Sequence, residues 1–267
     1  MVLEAADQAG GQVLLAARSP RRRDLLGIVD WRVAELGHHK VDLRLGVYAE
    51  RAEVLAEEPD LVVIATGGLP SRRLRGSGAE LTVDTWDVLS GAVRPRGDVL
   101  VFDDNGGHAG LDAAEHALRM GATVEVVTPE RTVGVDIGAM NIDPYLKSFA
   151  EHDVRLTPSF YLRSVRRYGR RLAATLWSEF ANREVERTVD QVIVETGTDP
   201  LDELYLELLT DSTNHGEVDH QAFIHLQPQT VVTNPEGRFQ LFRIGDAIAS
   251  RNIHAAIYDA QRLCQPI

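Results

Sequence analysis

The stretch from Val99 to Glu130, VLVFDDNGGHAGLDAAEHALRMGATVEVVTPE, limits what this chain can fold into more than any other. An apolar run, Val99 to Phe102, leads into the turn Asn105-Gly106-Gly107-His108-Ala109-Gly110. A helix pattern from Leu111 to Met120 follows, stopped by Gly121, and a second β-rich run covers Thr123 to Val127. Strand, glycine turn, helix and strand in that order form the first half of a nucleotide-binding α/β domain. The turn reads Asn-x-Gly-x-x-Gly where the usual fingerprint has three glycines. Gly107 lets a pyrophosphate approach the backbone, and Gly110 lets helix and strand pack closely. Asn105, in the first position, tolerates a left-handed backbone better than most residues. The acid expected at the end of the second strand is missing: Thr128 stands there, and Glu130 comes two residues later. Asn105, Gly107, Gly110, Thr128 and Glu130 are therefore the candidate second nucleotide site. The competing reading is a nucleotide fold that has lost its nucleotide.

A length of 267 residues allows one large or two small domains. A net charge of -12 argues against broad nucleic-acid or anionic-membrane binding. Three basic clusters, Arg18 to Arg23, Arg72 to Arg75 and Arg166 to Arg171, read as solvated faces or as docking points for an acidic partner or a phosphate. The one cysteine, Cys264, forms no internal disulfide, cluster or thiolate zinc site, which suits a reducing cytoplasm. No run reaches the roughly 18 apolar residues of a membrane span, and no signal-peptide pattern opens the chain.

Met1 to Asp7 reads as the end of a strand with an acid, Glu4, at its tip, and Gln8-Ala9-Gly10-Gly11-Gln12 as a glycine-rich turn. Such a strand normally follows a first strand, loop and helix, so the chain starts about thirty residues late for a complete unit. Pro20 to Leu36 is predicted helical, with Leu25, Val29, Val33 and Leu36 on one face. Val41 to Leu45 is a short strand, Glu50 to Glu58 a polar helix, and Thr82 to Leu89 a strand and short helix within an Arg-, Pro- and Gly-rich crossover. Asp143 to His152 is a helix with Pro144 near its first turn, and alternating strands run from Val154 to Val194 as a meander. Residues 200 to 237 are loop-rich, Gln240 to Ile244 is a last strand, and Asn252 to Leu263 a last helix.

One plan occurs twice: Asp60-Leu-Val-Val-Ile-Ala-Thr66-Gly67 and Asp190-Gln-Val-Ile-Val-Glu-Thr196-Gly197. Two such strands bracketing a Gly-rich unit predict two related domains, one inserted in the other. The fold class is then α/β with two Rossmann-like domains, residues 1–92 plus 198–267 and residues 93–197, the first incomplete at its N-terminus. The histidines show no metal spacing, and no nucleophile or zinc motif occurs, so neither a metal site nor a catalytic acid or base can be named.

These residues resemble a glutathione-reductase-type flavoprotein. More narrowly, Leu3 to Val13, Asp103 to His108, Phe239 to Ala247 and Arg251 to Ala256 are similar to the C-terminal FAD/NAD(P)-binding region of Old Yellow Enzyme-like fusion dehydrogenases. That group holds trimethylamine and dimethylamine dehydrogenase, 2,4-dienoyl-CoA reductase and N-methylproline demethylase. The resemblance implies that Glu4, Gly10, Gly11, Gln12, Ala65, Thr66, Gly67, Gly245, Asp246, Asn252 and Ile253 bind FAD or ADP, with NAD(P)H at the second site. It also implies an N-terminal TIM barrel carrying FMN and a 4Fe-4S cluster, which this chain lacks together with the first Gly-rich loop. The expected role is the nucleotide-binding part or subunit of a cytoplasmic flavin-dependent oxidoreductase. Its expected partners are a barrel-containing subunit or domain and an electron-transfer flavoprotein, in a hetero- or homo-oligomer. The alternative is a docking module or fragment without nucleotide binding.

Overall fold

Strand Asp98–Asp103 is apolar on both faces, and the computed structural model, which describes residues 1–265, places it at the centre of a parallel sheet. Successive side chains of a strand point to opposite faces. Val99 and Val101 accordingly join Leu111, Ala114, Tyr145 and Phe149 in one core, while Leu100 and Phe102 join Leu162, Val165, Leu176 and Val194 in another. The sheet has five strands in the order Val83–Asp84, Gln191–Glu195, Asp98–Asp103, Thr123–Thr128, Arg155–Pro158, and every neighbouring pair is parallel. Helices His108–Arg119 and Ala139–Glu151 supply the first core. A three-stranded antiparallel sheet, Tyr161–Tyr168, Arg171–Ser178 and Arg183–Val189, supplies the second.

Contacts divide the chain into two compact units: Met1–Val13, Leu26–Leu69 and Thr198–Ile267 form the first, Leu14–Leu25 and Pro70–Gly197 the second. The expected residues 266 and 267 of the first domain lie outside the described residues. The division departs from the expected one at two places. Residues 14–25 join the second unit because Arg21 pairs with Glu115 (2.5 Å), Arg22 pairs with Asp112 (3.1 Å), and the Arg21 guanidinium lies 4.8 Å over the Tyr145 ring. Residues 70–92 join it because Val83–Asp84 extends the parallel sheet and Ser77 bridges Ser164.

The described residues of the first unit include the parallel ladders Val2–Glu4 with Leu43–Leu45 and Leu61–Ile64 with Gln240–Arg243. Its core is Val54, Ile64, Tyr205, Leu208, Phe239, Leu241 and Ala247. The buried Asn214 side chain fastens the last strand, donating to Leu241 O (2.9 Å) and accepting from Leu241 N–H (2.8 Å). Residues 200–237, read from sequence as loop, contain the helices Glu203–Leu208 and His220–Ile224. These are short, and their apolar residues are too few to set a helical period.

Other expectations shift. Residues 20–36 split into a 3-10 turn, Pro20–Leu25, and the helix Leu26–His38, in which no residue is buried and Val33 is exposed. Helix Ala139–Glu151 starts earlier than expected, so Pro144 lies inside it rather than in its first turn. Arg155–Pro158 is an edge of the parallel sheet, not the start of the meander, because it pairs with Thr123–Thr128. The repeated plan folds alike: Gly67 and Gly197 both turn left-handed (φ 73° and 75°). In the first unit, Leu201 N–H donates to Gly67 O and the Thr66 hydroxyl to Leu201 O. In the second, Ser71 N–H donates to Gly197 O and the Thr196 hydroxyl to Ser71 O.

Candidate functional site

In the first unit, residues far apart in sequence meet at the Asp246 carboxylate. Asp246 sits in a 3-10 turn, Gly245–Ala247, that follows strand Gln240–Arg243. Its Oδ2 accepts from the Gln12 amide (3.1 Å) and the Thr198 hydroxyl (3.3 Å), and its Oδ1 from Arg251 N–H (3.0 Å). A hydrogen bond to a charged group contributes about 1.5–3 kcal/mol, so this carboxylate fixes the position of all three segments. Gln12 follows Gly10 and Gly11, both at positive φ, and Gly11 faces open space. Gly67 also lies here: a Cβ on it would stand 3.8 Å from the Gln12 amide nitrogen.

Asn252 caps the final helix, Ile253–Cys264, by accepting from Ala255 N–H (2.9 Å). The free N–H groups of such a helix start form an anion-attracting end. Gly245 is required by close packing: its φ is 61°, and a Cβ would lie 3.1 Å from Ala256 Cβ. Glu4 ends its strand as expected, half-buried, with Oε1 accepting from Ala6 N–H (2.9 Å). Ala65 and Thr66 are exposed at the end of strand Leu61–Ile64, and the Thr66 hydroxyl is tied to Leu201 O. Gly10, Gly11, Gln12, Gly67, Gly245 and Asp246 are thus brought together, with Asn252 and Ile253 beside them through Arg251.

Sequence reasoning missed Thr198, Ser250 and Asp259. Thr198 N–H donates to the Ser250 hydroxyl (3.0 Å). Asp259 accepts from Gly245 N–H (3.1 Å) and pairs with Arg251. A signal for Asp259 existed: it lies three residues after Ala256, on the helix face that meets Gly245.

The second unit presents the Gly-rich loop. Gly107 is the N-cap of helix His108–Arg119, which begins three residues earlier than the apolar pattern suggests. Gly110 does permit close packing, since a Cβ would lie 2.7 Å from Asp103 Cγ. The left-handed residue is Gly106 (φ 71°), not Asn105. Asn105 instead donates its side-chain amide to Glu195 (3.3 Å) and its N–H to Asp103 (3.1 Å). Thr128 is buried and its hydroxyl accepts from Glu130 N–H (3.2 Å), which leaves the Glu130 side chain exposed beyond the strand. His108 Nδ1 lies 3.1 Å from the Tyr145 hydroxyl. Burial and the Arg22 charge push its imidazole down, against the pull of Asp112.

Each basic cluster contributes to ion pairs: Arg21 and Arg22 as above, Arg72 with Asp84 and Asp87, Arg166 with Glu186, Arg171 with Asp98 and Asp190. Among the described residues no group of three or more His, Cys, Asp or Glu side chains is placed to hold a metal ion, and no helix is long and apolar enough to cross a membrane.

No family model matches the chain. It is 48% identical over 267 residues to a probable N-methylproline demethylase of Rhizobium meliloti, covering 100% of this chain and 39% of that protein. It is 43% identical over 275 residues to an N,N-dimethylglycine/sarcosine dehydrogenase of Chromohalobacter salexigens, covering 99% of this chain and 40% of that protein. The fold matches histamine dehydrogenase from Rhizobium sp. 4-9, with a TM-score of 0.79 and 19% identity over 97% of this chain and 39% of that one. The chain spans about two fifths of the length of these relatives (39% and 40%). It corresponds to a C-terminal part of the group that these proteins represent.

Proposed function

We propose that the first unit holds the ADP portion of FAD, or ADP itself, and that the chain is the nucleotide-binding part of an oxidoreductase acting on N-methylated amino or imino acids. The observation that carries this reading is the convergence of Gln12, Thr198 and Arg251 on Asp246, beside Gly11, which faces open space. The residues present fit such a group. Glu4 at a strand tip suits two ribose hydroxyls, the glycines admit a phosphate chain, and the Asn252-capped helix start favours its negative charge. In this reading Glu4 orients the adenosine end. Gly10, Gly11 and Gln12 with Ala65, Thr66 and Gly67 line the middle, and Gly245, Asp246, Asn252 and Ile253 hold the far end. When bound, the flavin supplies the redox chemistry.

Substrate chemistry then lies with a barrel domain or subunit bearing FMN and a 4Fe-4S cluster, with an electron-transfer flavoprotein as acceptor, in the cytoplasm. Asn105, Gly107, Gly110, Thr128 and Glu130 form the corresponding place for NAD(P)H in the second unit. The domain reading goes with it: the first unit takes FAD or ADP and the second unit the second nucleotide.

The test is a visible spectrum of the purified chain, followed by denaturation and mass identification of what is released. FAD or ADP in stoichiometric amount is the expected result, and ADP alone would assign the unit a non-redox nucleotide. A folded chain that releases nothing, and takes up neither FAD nor ADP when they are added, would sink this reading and leave a docking module.

A further inference from the structure

Asp103 and Glu195 end adjacent parallel strands and are register partners beneath the Gly-rich loop of the second unit. Both are buried, Asp103 with 0% of its surface exposed. Asp103 Oδ1 accepts from Asn105 N–H (3.1 Å) and Gly106 N–H (2.9 Å). Its Oδ2 is buried without any hydrogen-bond partner. That oxygen points at the first turn of helix His108–Arg119, where a Cβ on Gly110 would stand 2.9 Å from it. Glu195, by contrast, is satisfied by the Thr85 hydroxyl, the Asn105 amide (3.3 Å) and Gly197 N–H (3.0 Å). A helix start attracts one anion. Here the chain's own carboxylate already lies under it, in surroundings that screen charge poorly. A pyrophosphate reaching the same helix end from solvent meets that buried charge.

We propose that Asp103 decides whether this loop accepts a dinucleotide: the pyrophosphate settles on the helix start only when the Asp103 carboxyl is neutral, so binding takes one proton from solvent onto Oδ2. The proposal rests on the nucleotide-fold reading of the second unit and not on the flavin reading of the first. The surroundings agree with it. Burial pushes the Asp103 carboxyl up to about 7, against the Gly106 and Asn105 N–H groups and with the help of the Glu195 and Asp104 charges. Burial also raises Glu195, with a contribution from Asp84, which is itself paired with Arg72. Asp104 is raised by burial and Glu130 and lowered by Arg75. The other neighbouring strand ends in the uncharged Thr128, and the helix brings Gly110 against the carboxyl.

The test titrates NADH into the chain at pH 6 and pH 8. A group that must be neutral and titrates near 7 predicts about tenfold weaker binding at pH 8 than at pH 6. Asp103→Asn keeps the acceptor for Asn105 and Gly106 and is always neutral, so its affinity should be the same at both pH values and match the wild type at pH 6. Glu195→Gln removes the neighbouring charge and should move the wild-type pH midpoint downwards. Equal wild-type binding at both pH values would overturn it, as would an Asp103→Asn chain, folded by circular dichroism, that binds NADH no better than wild type at pH 8. The nucleotide released from the first unit is read separately, so either proposal can fail alone.

Discussion

Arg22→Ala should cost the second unit about 3–5 kcal/mol, the usual penalty for leaving a buried charge without its partner. Asp112 is 0% exposed and holds two donors, the Tyr145 hydroxyl at 2.7 Å and the Arg22 guanidinium at 3.1 Å. Removing Arg22 leaves a carboxylate facing a phenol and the apolar underside of a helix. The loss should appear in the denaturant midpoint followed by tryptophan emission. Of the three tryptophans, Trp86 and Trp177 lie in the second unit, whereas Trp31, in the first, is 60% exposed and changes little on unfolding. Replacing both partners, Arg22→Met with Asp112→Leu, should recover most of the loss, because an apolar pair of similar volume avoids the desolvation altogether. A single-variant loss below about 1 kcal/mol, the range of solvent-exposed pairs, would mean that water reaches Asp112.

Phe149→Ala should cost about 3–5 kcal/mol for a different reason, the cavity left by a large core side chain. Phe149 is 1% exposed and packs on Tyr145, ring centroids 6.4 Å apart, in the core shared with Val99, Val101 and Leu111. Its helix carries Pro144, which already deprives it of one main-chain donor, so side-chain packing carries more of its stability. The same denaturant titration reads the loss. Benzene at millimolar concentration should restore part of it by filling the void. A loss of about 1 kcal/mol with no response to benzene would show that the helix collapses into the space.

The central unit was legible because Val99–Phe102 and Thr123–Val127 are apolar runs joined by a helix with a clear period, and parallel strands buried on both faces leave that pattern. The twin Asp…Thr-Gly segments were legible as a pair. Aligning them also sets Glu195 opposite Ala65, the sign that one copy carries a buried acid. What could not be read was partner choice. Arg21 and Arg22 look like a solvated run, and only the fold brings Glu115 and Asp112 to them. Arg155–Pro158 alternates like a meander strand and becomes a parallel edge because Thr123–Thr128 offers it a free side. In the first unit the glycines and Asp246 were readable from their spacing and resemblance. Thr198 and Ser250 carry no pattern at all, and their role exists only once the 3-10 turn at Gly245 is formed.

The paired Thr-Gly turns give the molecule two built-in reporters. Leu201 N–H and Ser71 N–H each close on a glycine carbonyl, and each lies wholly within one unit. Amide hydrogen exchange at Leu201 therefore follows opening of the first unit, and exchange at Ser71 follows opening of the second. Isotope uptake at two backbone positions separates the energetics of the halves in the intact chain, without cutting it.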